Sequence, residues 1–224
     1  MPHIPLVDGV PGIRSAFLFS PETARPMLAL AEVLLRGEST LSRAEREMIA
    51  ARVSHLNACH FCRASHRAAA AHHLDGDYVL VDAVIADPAA APISPKFRRL
   101  LDIAALVAAG GSQVTETAVA AARRDGATDR ELHDTVLIAA AFCMYNRYVD
   151  GLDTWSPHDE ALYDDMGRGL AHVGYAARDA TRSAEATCHV GARRSRFLPC
   201  RRRHRRSARL CGGNAVTTRI GCLS

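Results

Sequence analysis

The sequence predicts an all-α domain. Alanine is abundant while aromatic residues make up only 5% of the 224 residues, which favours helix over sheet. Helix start and stop signals recur along the chain, and apolar residues such as Ile49, Val53 and Leu56 fall at helical spacing. Residues 1–20 hold three prolines and short apolar groups and read as an extended arm. A first helix is expected over 22–36, with Pro26 in its first turn and Gly37 as its stop. Ser42 and Glu45 form a capping-box pattern that opens a second helix. Asn57 is expected to cap a third helix, which opens at Cys59 and runs to about His73 before the Asp75-Gly76 turn.

Residues 77–86 are a short apolar run, read as helix from its context. Pro88, Pro92 and Pro95 mark a loop. Helices are then expected over 96–109, closed by Gly110-Gly111, and over 114–124, closed by Asp125-Gly126. Thr128 and Glu131 repeat the capping-box pattern at the head of a long helix to about Val149. Ser156-Pro157 opens a last helix over 158–175. Seven or eight helices with short connections make a compact helical domain over 21–177, preceded by the 1–20 arm.

The remainder is different in kind. Residues 178–224 carry twelve arginines and two acids, a net of +10, against a net of −6 for residues 1–177. This Arg-rich tail has no sustained helix or strand period and is expected to be unstructured. Such a tail can neutralise phosphate. With Phe197 as its only aromatic residue and no recognisable nucleic-acid fold, nucleic-acid binding is not the expected role. Cys188, Cys200, Cys211 and Cys222 lack the close pairing of structural zinc sites. No apolar run reaches the ~18 residues of a membrane span. The N-terminus has no basic start followed by an apolar stretch, so a reducing cytoplasm is the expected compartment.

Chemistry concentrates at residues 54–66, Ser-His-Leu-Asn-Ala-Cys-His-Phe-Cys-Arg-Ala-Ser-His. Placed on one helix, His55, Cys59, Cys62 and His66 fall within an arc of roughly 60°. Two thiols three residues apart at a helix start can close a disulfide, and the helix N-terminus favours thiolate. By that argument Cys59, nearer the start, is the more activated thiol. An imidazole can take the thiol proton, and a carboxylate such as Glu47 can hold the imidazole in its useful tautomer. A zinc site built from the two cysteines with His66 and His55 competes for these residues. A purely structural reading makes the cysteines small core residues and the histidines surface groups.

The stretches 41–66, 125–132 and 142–150 resemble the alkyl hydroperoxidase D-like, or carboxymuconolactone decarboxylase-like, family, and within it the peroxidase-related branch. The resemblance covers roughly residues 5–176, and Glu47, Cys59, Cys62 and His66 fall on the family's Glu, Cys-x-x-Cys and His. It implies an AhpD-like helical fold that assembles into dimers, trimers or hexamers. It implies an oxidoreductase, a thiol peroxidase for hydrogen or alkyl hydroperoxides. Cys62 would be oxidised, Cys59 would resolve the sulfenic acid to a disulfide, and Glu47 and His66 would relay protons. A dithiol protein or small thiol would regenerate the pair, with no metal or other cofactor required. A general thiol–disulfide oxidoreductase and a non-enzymatic redox sensor or binding protein are the alternatives. The decarboxylase branch lacks the dithiol, so ring-acid decarboxylation is not expected.

One position departs from the family. Its best-characterised peroxidases keep a histidine immediately before the second cysteine, where this chain has Phe61. His60 lies one residue earlier, a turn of about 100° on a helix, so His55 is the expected substitute. Cys143 is expected to be a packed small residue. Asn146 and Arg147 resemble a family position pair, with a structural role expected for Arg147.

Overall fold

The computed structural model describes residues 1–176. The Arg-rich tail and its four cysteines lie outside the described residues. Nine α-helices and one 3-10 turn are present there: α1 (Ile13–Phe19), α2 (Pro21–Arg36), α3 (Arg43–Leu56), α4 (His60–His72), α5 (Tyr78–Ala86), α6 (Pro95–Ala109), α7 (Glu116–Arg124), α8 (Asp129–Gly151) and α9 (Glu160–His172), with the 3-10 turn Gly111–Gln113 between α6 and α7. The all-α expectation holds. The apolar run at 77–86 is helical.

Both expected capping boxes form. Ser42 Oγ accepts from the Glu45 amide at 3.1 Å and the Glu45 carboxylate accepts from the Ser42 amide at 2.8 Å. Thr128 and Glu131 repeat this at the head of α8. Each such cap is worth on the order of 1 kcal/mol. Arg46, on α3, is buried and donates to the carbonyls of Leu34 at 3.2 Å and Gly37 at 2.9 Å. It thereby satisfies the carbonyl end of α2 and fixes α2 against α3.

α3 is the central element. It packs on α4, α5, α6 and α8, and α4 is covered on its other side by α9. The main core lies where α2, α3, α5, α6 and α8 meet, around Leu35, Ile49, Leu100, Ile103, Ile138 and Phe142. A smaller cluster gathers at the start of α4: Cys59, Phe61, Cys62, Ala64, Val149, Tyr163 and Met166. The alanine-rich face of α4 lets α9 approach closely. A Cβ on Gly167 would lie 2.4 Å from Ala68 Cβ.

Several boundaries differ from the sequence reading. The N-terminal arm is not wholly extended, because residues 13–19 form α1, which buries Ser15, Ala16 and Phe17. Three prolines in the first eleven residues hide that short helix. Pro26 lies inside α2 rather than in its first turn, since the helix begins at Pro21. The last helix stops at His172, and Gly174, at φ 94°, turns the chain back toward the core.

Candidate active site

The chain cannot run as one helix through His55, Cys59, Cys62 and His66. α3 ends at Leu56 with Asn57 as its C-cap, and Ala58 adopts a left-handed conformation at φ 58°. The Ala58 amide donates to His55 O and the Cys59 amide to Ser54 O, both at 3.0 Å. These are the two hydrogen bonds of a Schellman closure, with alanine where glycine is usual. Asn57 therefore ends α3 instead of capping α4; Cys59 is the N-cap of α4. The Asn57 amide group donates to Asn146 Oδ1 at 2.8 Å, and Asn146 donates to Ser54 Oγ at 3.0 Å. This chain of hydrogen bonds ties the α3–α4 junction to α8.

The junction places the two cysteines at the first turn of α4, Cys59 as N-cap and Cys62 in the third helical position. Both are buried, and both thiols are free. Interaction with the Cys62 sulfur, burial and the nearby Asp150 carboxylate together push the Cys59 thiol far above its ordinary range. Desolvation and a neighbouring sulfur thus outweigh the helix dipole, which favoured Cys59 as thiolate. The dipole argument fails because it leaves out what α8 and α9 place over the helix start.

His66, one turn after Cys62, is held by groups from α3, from α8 and from the segment that follows α9. Its Nδ1 lies 2.7 Å from Glu47 Oε2, and Glu47 is completely buried on α3. The Tyr175 hydroxyl donates to Glu47 Oε1 at 2.6 Å and lies 3.4 Å from His66 Nδ1. The Phe142 ring meets His66 edge-on with centroids 4.5 Å apart, and the Tyr175 ring lies nearly parallel to it at 6.1 Å. A carboxylate on Nδ1 directs Nε2 as the nitrogen free to exchange a proton.

Tyr175 was not among the residues singled out by sequence. It arrives because the Tyr175 amide donates to Glu32 Oε2 at 2.7 Å and Arg36 donates to the carbonyls that end α9. The signal in the sequence was Gly174, which follows the end of α9 at His172 and leaves Tyr175 outside the helix.

The other residues fall elsewhere. His55 ends α3, half-buried, and its ring makes no hydrogen bond among the described residues; burial and then Arg52 and Arg63 lower its pKa. The shared-face argument for His55 therefore has no helix to rest on. Phe61 is buried, its ring directly beneath Gly12 and 6.1 Å from the Tyr163 ring. It fastens the N-terminal arm over α4. Cys143 is half-buried on α8 and accepts from Asn57 at 3.5 Å. Arg147 is exposed and donates to the Cys143 carbonyl of its own helix. Among the described residues, no group of three or more His, Cys, Asp or Glu side chains is arranged to hold a metal ion.

The fold and this arrangement define a class: an all-helical protein with a buried Cys-x-x-Cys at a helix start, beside a carboxylate–imidazole–phenol cluster. The chain belongs to the carboxymuconolactone decarboxylase family, whose model matches residues 21–74 and 80–155. It is similar to an uncharacterized peroxidase-related protein from Silicibacter sp. TM1040, at 31% identity over 71% of this chain and 81% of that one, with a TM-score of 0.63. A second peroxidase-related protein, an alkylhydroperoxidase AhpD core from Ralstonia eutropha JMP134, is 30% identical over 71% of this chain and 82% of that one, TM-score 0.63. A protein of unknown function from Agrobacterium tumefaciens shares the fold at 20% identity and a TM-score of 0.55, over 64% of this chain and 97% of that one. No curated protein matches the chain in sequence. The AhpD-like expectation thus holds for family and fold.

Proposed function

We propose that the protein is a thiol-dependent peroxidase that reduces hydrogen or alkyl hydroperoxides through Cys59 and Cys62. The observation that carries this reading is the buried pair Cys59 and Cys62 in the first turn of α4, one turn from an imidazole held by Glu47. A thiol kept protonated beside a second sulfur suits the resolving role, and the resemblance gives the attacking role to Cys62. The reading assigns His66 to proton transfer and Glu47 to fixing its tautomer, with Tyr175 holding Glu47.

The cycle balances as follows. Cys62 thiolate attacks the terminal peroxide oxygen, an S–O bond forms, the O–O bond breaks, and the departing oxygen takes a proton and leaves as alcohol or water. Cys59 sulfur attacks the sulfenic acid; the disulfide forms and water leaves. A dithiol reductant restores both thiols by two exchanges and is itself oxidised to a disulfide. The step needs no cofactor. Self-association is part of this reading: α8 exposes Val136, Leu137 and Met144. Among the described residues no helix is long and apolar enough to cross a membrane, and a reducing compartment would keep the dithiol poised.

The test is direct. Cys62→Ser should abolish peroxide turnover, and Cys59→Ser should permit one oxidation per chain at most. Mass spectrometry after one equivalent of peroxide should find a Cys59–Cys62 disulfide in the parent. Unchanged turnover in Cys62→Ser would sink the reading. A specific observation favours a second one: with Phe61 packed under Gly12, no imidazole stands directly before Cys62. A general thiol–disulfide oxidoreductase would reduce protein disulfides and respond little to peroxide.

A further inference from the structure

Glu32 and Arg36 lie one turn apart on α2, with Arg36 Nε 3.2 Å from Glu32 Oε1. This pair meets the end of α9 with matched charge. The Arg36 guanidinium donates to the carbonyls of Leu170 and Ala171, which the helix itself leaves without donors. A helix C-terminus favours a cation there. The amides of Val173 and Gly174 still bond back to Gly169 O. The next two amides, those of Tyr175 and Ala176, both go to Glu32 Oε2, at 2.7 and 3.3 Å.

Gly174 lets this clamp close. Its φ is 94°, and a Cβ there would lie 2.7 Å from Glu32 Oε2 and 2.9 Å from Arg36 Nε. The chain leaving α9 is thus pressed against the pair and held by it on both sides of the turn. The clamp sets the backbone of Tyr175, and the hydroxyl of the same residue reaches Glu47 Oε1 at 2.6 Å. A tyrosine ring is rigid beyond two rotatable bonds, so a fixed backbone leaves its hydroxyl little range. The other oxygen of Glu47 meets His66 Nδ1 at 2.7 Å. A continuous series of hydrogen bonds therefore runs from Arg36 and Glu32 on the far side of α9 to the imidazole beside the dithiol.

We propose that Glu32 and Arg36 are positioning residues for the Glu47–His66 pair: together they set the Tyr175 hydroxyl on Glu47, and through it they fix the carboxylate that orients the His66 imidazole. The hydrogen bonds of α2 reach His66 only through Tyr175 and Glu47. The positioning follows from geometry; its effect on turnover rests on the peroxidase reading.

Two measurements on the full chain test this. In the unreactive double variant Cys59→Ser/Cys62→Ser, Glu32→Ala should shift the His66 imidazole resonances by NMR in the same direction as Tyr175→Phe. Gly174→Ala, which presses a methyl group onto the clamp from the opposite side, should do the same and serves where Glu32→Ala fails to fold. Glu32→Gln keeps an acceptor oxygen for the two amides and should stay closer to the parent. Tyr78→Phe removes a 2.6 Å hydrogen bond to Asp164 of α9; it loosens the same helix elsewhere and should leave the His66 resonances in place. In peroxide turnover, Glu32→Ala should lower kcat about tenfold with KM changed less than about twofold. In the Tyr175→Phe background the same substitution should add less than about twofold, because the two residues act through one hydrogen bond. Effects that multiply in the combined variant, a Tyr78→Phe shift at His66 equal to that of Glu32→Ala, or His66 resonances unmoved by both Glu32→Ala and Gly174→Ala would overturn the positioning role. Shared shifts at His66 with no peroxide consumption by the parent would instead remove the peroxidase reading and leave the clamp standing.

Discussion

The Tyr175 hydroxyl donates to Glu47 Oε1 at 2.6 Å, across a separation of 128 residues, while the other oxygen of that carboxylate meets His66 Nδ1 at 2.7 Å. One buried carboxylate is thus fixed by a phenol on one side and an imidazole on the other. Removing the phenol leaves part of that carboxylate unsatisfied, and a hydrogen bond to a charged group is worth roughly 1.5–3 kcal/mol. Tyr175→Phe should lower stability by about that amount in urea denaturation. It should also lower peroxide turnover about tenfold, as the imidazole loses its fixed position. Full turnover with full stability would remove Tyr175 from the cluster.

Ala58 carries a φ of 58° at the closure between α3 and α4. A side chain in that region costs about 1–2 kcal/mol, and glycine escapes most of it. Ala58→Gly should therefore raise stability by roughly 1 kcal/mol by thermal or urea unfolding. Because Ala58 precedes the N-cap cysteine, a gain in stability with reduced turnover would mark the strain as functional. A loss of stability would mean that the alanine methyl makes packing contacts worth more than the strain.

The raised Cys59 thiol has a sign that can be checked. An acid whose pKa is higher in the folded chain than in the unfolded one keeps its proton longer when folded. Below the unfolded value, about 8.5 for a thiol, both states hold the proton and stability is unaffected. Above it the unfolded chain loses the proton first, and stability falls by up to ~1.4 kcal/mol per pH unit. The reduced protein should lose stability above about pH 8.5, and Cys59→Ser should lose less over the same range. In alkylation of the reduced protein, Cys62 should react well before Cys59.

Phe61→His would restore the residue type that the resemblance expects before the second cysteine. The ring at this position lies beneath Gly12 and against Tyr163, in a buried cluster. An imidazole there is buried without a partner, at a cost of about 1–3 kcal/mol. Stability should fall by that amount, and peroxide turnover should not rise. An increase in turnover would show that position 61 acts on the dithiol and not only on the arm.

The helical class and most element positions were legible because capping boxes, glycines and prolines act within a few residues of themselves. Ser42 with Glu45 and Thr128 with Glu131 act over one turn, and the structure forms both. The pairing of Glu47 with His66 was approachable because α3 and α4 are neighbours in sequence and pack side by side. α1 was missed because the prolines around it resemble an extended arm, while its burial depends on distant helices. The break near Asn57 was legible, but the left-handed turn at Ala58, which takes His55 out of register with the cysteines, was not.

The sequence by itself determined the helices other than α1, the Cys-x-x-Cys at a helix start and the carboxylate and imidazole that accompany it, since each depends on short-range spacing and local hydrogen bonding. The tertiary structure added to a local effect at Cys59: the Cys62 sulfur three residues away raises that thiol most, and the burial supplied by packing, with the Asp150 carboxylate of α8, raises it further. It also decided that Tyr175 joins the Glu47–His66 pair and that Glu32 of α2 holds the chain there. Those relationships join residues far apart in the chain. They arise only when packing closes the space between helices, and no local pattern encodes them.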